Sequence, residues 1–96
     1  MLVLITYDVD TTTKAGEKRL RKVARECVNY GQRVQNSVFE CLITEAQFVE
    51  LKATLDAIIN DTTDSIRFYF LGNHWQRRIE QMGKQTSFDP TDTLII

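Results

Sequence analysis

An α+β domain of ferredoxin-like order, with two helices on one face of an antiparallel sheet, is what this sequence predicts, and three observations carry that reading. Four β-like segments and two helical ones follow one another as β-α-β-β-α-β. Each helical segment is amphipathic, with one apolar stripe. The chain has 96 residues, which is enough for one core and therefore a single domain spanning 1–96.

Residues 1–7 read as a strand, because Leu2 to Ile5 is a continuous apolar run of the kind found where both faces are covered. Asp8-Val9-Asp10-Thr11-Thr12-Thr13 breaks it, and Thr13 or Thr12 is placed to cap the helix that follows. Over 14–29, Leu20, Val23, Ala24, Cys27 and Val28 form the stripe of that helix, with Gly31 suited to a left-handed C-cap. Residues 32–43 are β-like around a turn signal at Asn36-Ser37, giving strands 32–35 and 38–43 or one kinked strand. Thr44 and Gln47 make a capping box, and Phe48, Leu51, Leu55, Ile58 and Ile59 carry a second helix to about residue 60. Residues 65–71 alternate, with Ile66, Phe68 and Phe70 on one face and Arg67, Tyr69 and Leu71 on the other. Gly72-Asn73 marks a turn, and 75–82, with Trp75, Ile79 and Met82, suggests a further strand.

The second face of such a sheet is bare in a single chain. It would carry Tyr69, Leu71 and Val3 or Leu4, too apolar for water, so a homodimer through that face is expected. Residues 83–96 lie outside the basic unit and end in Thr93-Leu94-Ile95-Ile96. That C-terminal extension is expected to add as an extra strand to the partner's sheet.

Apolar residues make up 43% and charged residues 26%, ordinary for a globular protein. The formal net charge is -1, so nucleic acid could be held only through a local patch. One exists: Lys14, Lys18, Arg19, Arg21, Lys22 and Arg25 fall together in the first helix, whereas residues 44–64 are acidic apart from Lys52. Cys27 and Cys41 lack CxxC spacing and sit at core-facing positions, which points to a reducing compartment. The start Met1-Leu2-Val3-Leu4-Ile5 has no basic leader and is too short for a signal or a span, so a cytoplasmic protein with no membrane partner is expected. A P-loop, zinc spacing, a nucleophile elbow and a dinucleotide fingerprint are all missing, which removes most enzyme classes.

Asp8 is the foremost chemical candidate. It stands where a rigid strand meets solvent. If a two-fold axis passes nearby, it meets its own copy, and two carboxylates so close do not both stay ionised without help. A divalent cation relieves that repulsion, and Mg²⁺ takes one or two carboxylates plus waters and phosphate oxygens. Turn chemistry is the plainer role for Asp8. Asp10 would assist through water or remain a solvated loop acid. The helix cations Arg19, Arg21 and Lys22 would meet phosphates, with Arg33 extending the patch, or simply form a wet face. Tyr7 and Phe39 lie near the candidate site in sequence, although core packing accounts for both. His74, the one histidine, has no triad partner at a known spacing and reads as a surface loop residue.

Three segments together carry a family resemblance: Leu4-Ile5-Thr6-Tyr7-Asp8; the basic run Arg19-Leu20-Arg21-Lys22-Val23; and Gly31-Gln32-Arg33-Val34-Gln35-Asn36-Ser37-Val38-Phe39-Glu40. The chain resembles CRISPR-associated protein 2, the small partner of the CRISPR integrase, over essentially its whole length. The resemblance implies a ferredoxin-like homodimer whose C-terminal strand crosses to the partner. It also implies Asp8 as a catalytic metal ligand shared across the two-fold, with Mg²⁺ or substituting Mn²⁺. It gives weight to Arg33, Phe39 and a basic residue of the first helix, for which Lys22 fits best by counting back from Gly31.

Three functions follow as expectations. The first is a metal-dependent endonuclease of CRISPR spacer acquisition in antiviral defence, acting on double-stranded DNA with little sequence preference. The second is a non-catalytic dimeric scaffold bridging the CRISPR integrase and binding duplex DNA. The third is a toxin-like endoribonuclease of the same fold. A small-molecule regulatory domain is a fourth class, and no ligand-pocket pattern favours it.

Overall fold

The computed structural model describes residues 1–72 and 78–84. Within them the chain runs β1 (Leu2–Asp8), α1 (Lys14–Val28), β2 (Gly31–Gln35), β3 (Val38–Leu42), α2 (Glu45–Ile58), β4 (Ser65–Leu71) and β5 (Arg78–Gly83). The five strands form one antiparallel sheet in the order β2-β3-β1-β4-β5. This is the ferredoxin-like α+β arrangement, with β1 at the centre. Residues 32–43 are two strands around a turn at Asn36 and Ser37, not one kinked strand. The fifth strand begins at Arg78, so Trp75 and His74 lie outside the described residues, as does the expected tail strand at 93–96.

Strand parity divides the sheet. Val3, Ile5 and Tyr7 of β1, Phe39 and Cys41 of β3, and Ile66, Phe68 and Phe70 of β4 enter one core with Val23, Ala24 and Cys27 of α1 and Phe48, Leu51 and Leu55 of α2. Phe48 meets Phe68 and Phe70 edge-on, at centroid distances of 5.2 and 4.9 Å, a favoured aromatic geometry. The alternate positions lie on the opposite face. Of Val3 and Leu4, it is therefore Leu4 that faces away from the helices, and it and Tyr69 are buried outside the core cluster. Leu42, on that same face, is 74% exposed.

Thr13 caps α1 by accepting from the Gly16 amide, and Thr44 with Gln47 closes the capping box of α2. Two details depart from the sequence reading. Val28 is 49% exposed, because the helix ends there and its stripe turns outward. Gly31 is not a left-handed cap: Asn29 closes α1 in right-handed helical geometry, and the one positive φ among the described residues is at Gly83. Gly31 is needed for close approach instead, since a Cβ there would lie 2.0 Å from the Glu40 carbonyl oxygen across the β2–β3 pair.

Both thiols are in the core, where Cys41 Sγ donates to Cys27 O at 3.5 Å. Burial pushes the Cys27 thiol far up and that of Cys41 to about 11, so both pack as neutral groups. No helix among the described residues is long and apolar enough to cross a membrane.

Gly31→Ala is expected to destabilise the fold by about 1–3 kcal/mol, as forced overpacking does. The shift of the urea unfolding midpoint measures it, and an unshifted midpoint would mean that β2 can move off β3 at no cost.

Candidate functional site

β1 ends on Asp8, opposite Ser65, the first residue of β4. Parity sends Tyr7 inward and Asp8 outward: Tyr7 is 2% exposed, while Asp8 is exposed. Asp8 lines a small hollow of about 50 Å³ with Thr6, Ser65 and Arg67. Around the carboxylate there are thus two hydroxyls and one guanidinium. Arg67 is itself oriented by neighbours, with Nε donating to Gln81 Oε1 at 3.4 Å, and Gln81 Nε2 donates to Ser65 Oγ at 3.3 Å. No group of three or more His, Cys, Asp or Glu side chains gathers at any one place among the described residues.

A second hollow, of about 310 Å³, lies at the same end of the sheet between α1 and the β2–β3 hairpin. Thr11, Glu17, Leu20, Arg21, Arg33 and Asn36 line it. Arg33 stands on the helix side of β2, opposite Phe39 in register, with its guanidinium 5.7 Å from the Phe39 ring centre. Its Nε donates to the Asn36 carbonyl at 2.7 Å, which fixes the plane of the head group. The hairpin is latched to β1, since the Tyr7 amide donates to Ser37 O at 2.9 Å. The fold therefore brings Arg21 and Arg33, twelve positions apart in sequence, to one groove.

Arg19 goes elsewhere. Its Nε and Nη2 donate to both oxygens of Asp64, at 2.7 and 3.1 Å. Asp64 is fully buried and also accepts from the Tyr7 hydroxyl at 2.5 Å, the Asn60 amide at 3.0 Å and the Thr63 hydroxyl at 3.1 Å. Burial alone would raise its pKa, but the Arg19 guanidinium and the other three donors hold it below the usual carboxylate value. Burial, and then the adjacent Asp64 carboxylate, push Tyr7 well above an ordinary phenol, so it stays a donor.

The remaining candidates separate as follows. Lys22 is exposed but does not line the Arg21–Arg33 groove. Asp10 turns back on its own loop, accepting from the Thr12 amide and hydroxyl at 2.9 and 2.6 Å, and these bonds lower its pKa. It does not line the Asp8 hollow. Tyr7 and Phe39 are core residues that brace the site from behind. Sequence reasoning missed Thr6, Ser65, Thr11, Asn36 and above all Asp64. The alternation of 65–71 puts Arg67 on the face opposite Ile66, but nothing local gives the β1–β4 pairing that brings it beside Asp8. A larger hollow, of about 490 Å³, lies between α2 and β5 with a mainly apolar lining of Phe48, Val49, Lys52, Ala53, Asp56 and Met82. It is apart from Asp8 and from both arginines.

These features define a class: small ferredoxin-like α+β domains with an acid exposed at the end of the central strand and cations gathered at the same sheet end. The chain belongs within that class to the CRISPR associated protein Cas2 family, whose model matches residues 1–79. It is 54% identical over 95 residues to the CRISPR-associated endonuclease Cas2 of Halalkalibacterium halodurans, covering 99% of each chain. It is 53% identical over 96 residues to the CRISPR-associated endoribonuclease Cas2 of Chlorobaculum tepidum, covering 100% of both. The crystal structure of Streptococcus pyogenes Cas2 at pH 6.5 superposes with a TM-score of 0.75 at 65% identity, covering 78% of this chain and 90% of that one.

Asp64→Asn is expected to cost about 3 kcal/mol near neutral pH, the low end for breaking a buried pair because Arg19 keeps some water access. The folded-state pKa of Asp64 is depressed, so its contribution is present above the unfolded value of about 4 and fades as pH falls through the folded one. Urea unfolding at several pH values should show the gap between wild type and variant closing in acid; a gap constant with pH would place the stabilisation outside the charge.

Proposed function

We propose that the protein is a metal-dependent endonuclease acting on phosphodiester bonds in CRISPR adaptation, with Asp8 as its catalytic acid. What supports the reading most is the placement of Asp8, exposed and rigidly held at the end of the central strand, with two hydroxyls beside it. Oxygen donors of this kind suit Mg²⁺, with Mn²⁺ as a substitute. One chain supplies a single carboxylate and also brings Arg67 to the same hollow. The guanidinium cannot ligate a cation, so the carboxylate and two hydroxyls of one chain are half a site that a second chain's acid would complete. Leu42, exposed on the sheet face that Asp8 shares, offers apolar surface suited to pairing about a two-fold.

When bound, Mg²⁺ supplies polarisation of the phosphodiester and acidification of water. The chain's own residues bind and orient. Arg21 and Arg33 hold nucleic-acid backbone on the helix side of the same sheet end, away from the scissile bond, and Lys22 adds charge outside the groove. Stacking on Phe39 and the bond to Asn36 orient the Arg33 fork for a phosphate. The two hollows are small or open, without a recess for a base, in keeping with a substrate gripped by its backbone and little sequence preference. We take duplex DNA as the substrate, with RNA as the alternative that several relatives' names carry. The protein would work in the cytoplasm beside the CRISPR integrase.

A second reading is a non-catalytic scaffold that bridges the integrase and supports DNA. The observation favouring it is that the arginine groove is complete in one chain, whereas the acid site is not.

Asp8→Asn is expected to lower Mg²⁺-dependent cleavage by about 100-fold while leaving DNA affinity intact. Unchanged cleavage by a purified, folded variant would remove Asp8 from the chemistry and leave the scaffold reading. Separately, replacing Arg21 and Arg33 together by Ala should weaken DNA binding and reduce the slope of log K against log salt by about two, one per lost phosphate contact. An unchanged slope would place the phosphates elsewhere.

A further inference from the structure

We propose that Asp64 is a positioning residue for Asp8, fixing the outward acid through its bonds on the inward face. This rests on the reading of Asp8 given above. The β1–β4 ladder ends with Tyr7 opposite Ile66 and Asp8 opposite Ser65. The residue before Asp8 is Tyr7, and the residue before Ser65 is Asp64. Their side chains meet on the core side, where the Tyr7 hydroxyl donates to Asp64 Oδ2 at 2.5 Å. One bond on the core face thereby ties together the two strand ends whose outward side chains, Asp8 and Ser65, line the same hollow.

The end of a ladder is where strands normally fray. Here it is held on every side. The Asp64 amide donates to Asn60 O at 2.7 Å, and its carbonyl accepts from the Lys84 amide at 2.6 Å. Gly83, with φ +91°, lets β5 pass so close that a Cβ there would lie 2.4 Å from Asp64 O. The carboxylate itself receives five hydrogen bonds from four residues. Arg19, the largest of these partners, belongs to the helix that carries Arg21. Asp8 and the arginine groove therefore share one reference point.

Stability alone is a weak reason for this charge. Well-packed apolar side chains often serve a small core as well as a buried ion pair does, because desolvation offsets most of the attraction. A fully bonded buried network does specify a single geometry. Its location one residue from Asp8 on one strand, and one residue from Ser65 on the other, is where geometry matters for a metal ligand.

The test measures Mn²⁺ affinity by electron paramagnetic resonance on the full chain, at temperatures where each protein is folded. Four variants are compared with wild type: Asp64→Asn, the milder Tyr7→Phe, the core variant Leu55→Ala, and Asp8→Asn. Leu55→Ala is a control for lost stability at a core side chain outside the Asp64 hydrogen bonds. We expect Tyr7→Phe and Asp64→Asn to weaken Mn²⁺ binding at least fivefold, Leu55→Ala to keep wild-type affinity, and Asp8→Asn to abolish binding. Tyr7→Phe alone decides the matter should Asp64→Asn fail to fold. Wild-type affinity in Tyr7→Phe and folded Asp64→Asn, or a loss no larger than that of Leu55→Ala, would overturn the positioning role while Asp8 stands. Wild-type affinity in Asp8→Asn would instead overturn the reading of Asp8, and the role of Asp64 with it.

Discussion

The buried Asp64 carboxylate holds together the sheet end on which everything else stands. A carboxylate with no exposed surface is costly unless its charge is met, and here a guanidinium, a phenol, a main-chain amide and a hydroxyl meet it at once. Those donors come from α1, from β1 and from the turn between α2 and β4. The carboxylate therefore does what a purely apolar contact would do poorly. It fixes direction as well as proximity, because two oxygens with defined lone pairs accept from donors of fixed geometry. The β1–β4 pairing, the placement of α1 over the sheet and the entry into β4 are all tied to it.

The period of two along a strand does the rest. With Tyr7 drawn inward to Asp64, Asp8 has no choice but to project from the opposite face. A one-residue slip would bury the acid and expose the phenol, exchanging a bonded network for an unpaired charge in the core. The core side chains Val3, Ile5, Ile66 and Phe68 obey the same parity and resist the same slip. The chemistry of the outer face is thus set by packing on the inner one. On the other side of β1, the hairpin turn is fastened to the Tyr7 amide, and it carries Arg33 and Asn36 toward α1. The acid and the arginine groove occupy opposite faces of one sheet end, although Arg21 and Arg33 are distant from Asp8 along the chain.

Much of this was legible in the sequence, for a physical reason. Helix stripes, capping residues and strand alternation are local patterns, and the Leu51–Leu55 stripe, the Thr44–Gln47 box and the alternation of 65–71 were each realised. The outward position of Asp8 could be read because a strand end is a local feature as well. Long-range pairings leave no such mark. Nothing around Asp64 distinguishes it from Asp61 three residues earlier, yet one is buried and the other exposed, a difference set by where Tyr7 and Arg19 arrive. Gly31 looked like a helix cap because glycine is permissive in more than one way; only the neighbouring strand reveals that missing volume, not positive φ, is what the position needs. Val28 failed as a core residue because periodicity does not say where a helix stops covering the sheet.

The basic run of α1 shows how far a charge count falls short of a site. Arg19 and Arg21 are two positions apart, about 200° around the helix, so they cannot share a direction. Arg19 turns down onto Asp64, while Arg21 turns toward the hairpin and meets Arg33. The same residue type in the same segment thus serves the fold in one case and offers charge to solvent in the other. Removing Arg19 would strip a buried carboxylate of its main counter-charge and loosen α1, β1 and β4 together. Any accompanying loss of nucleic-acid binding would pass through that distortion and would not count a phosphate contact. Arg21 and Arg33 take no part in the Asp64 hydrogen bonds, so they are the cations at which the proposed phosphate contacts can be tested without disturbing that network.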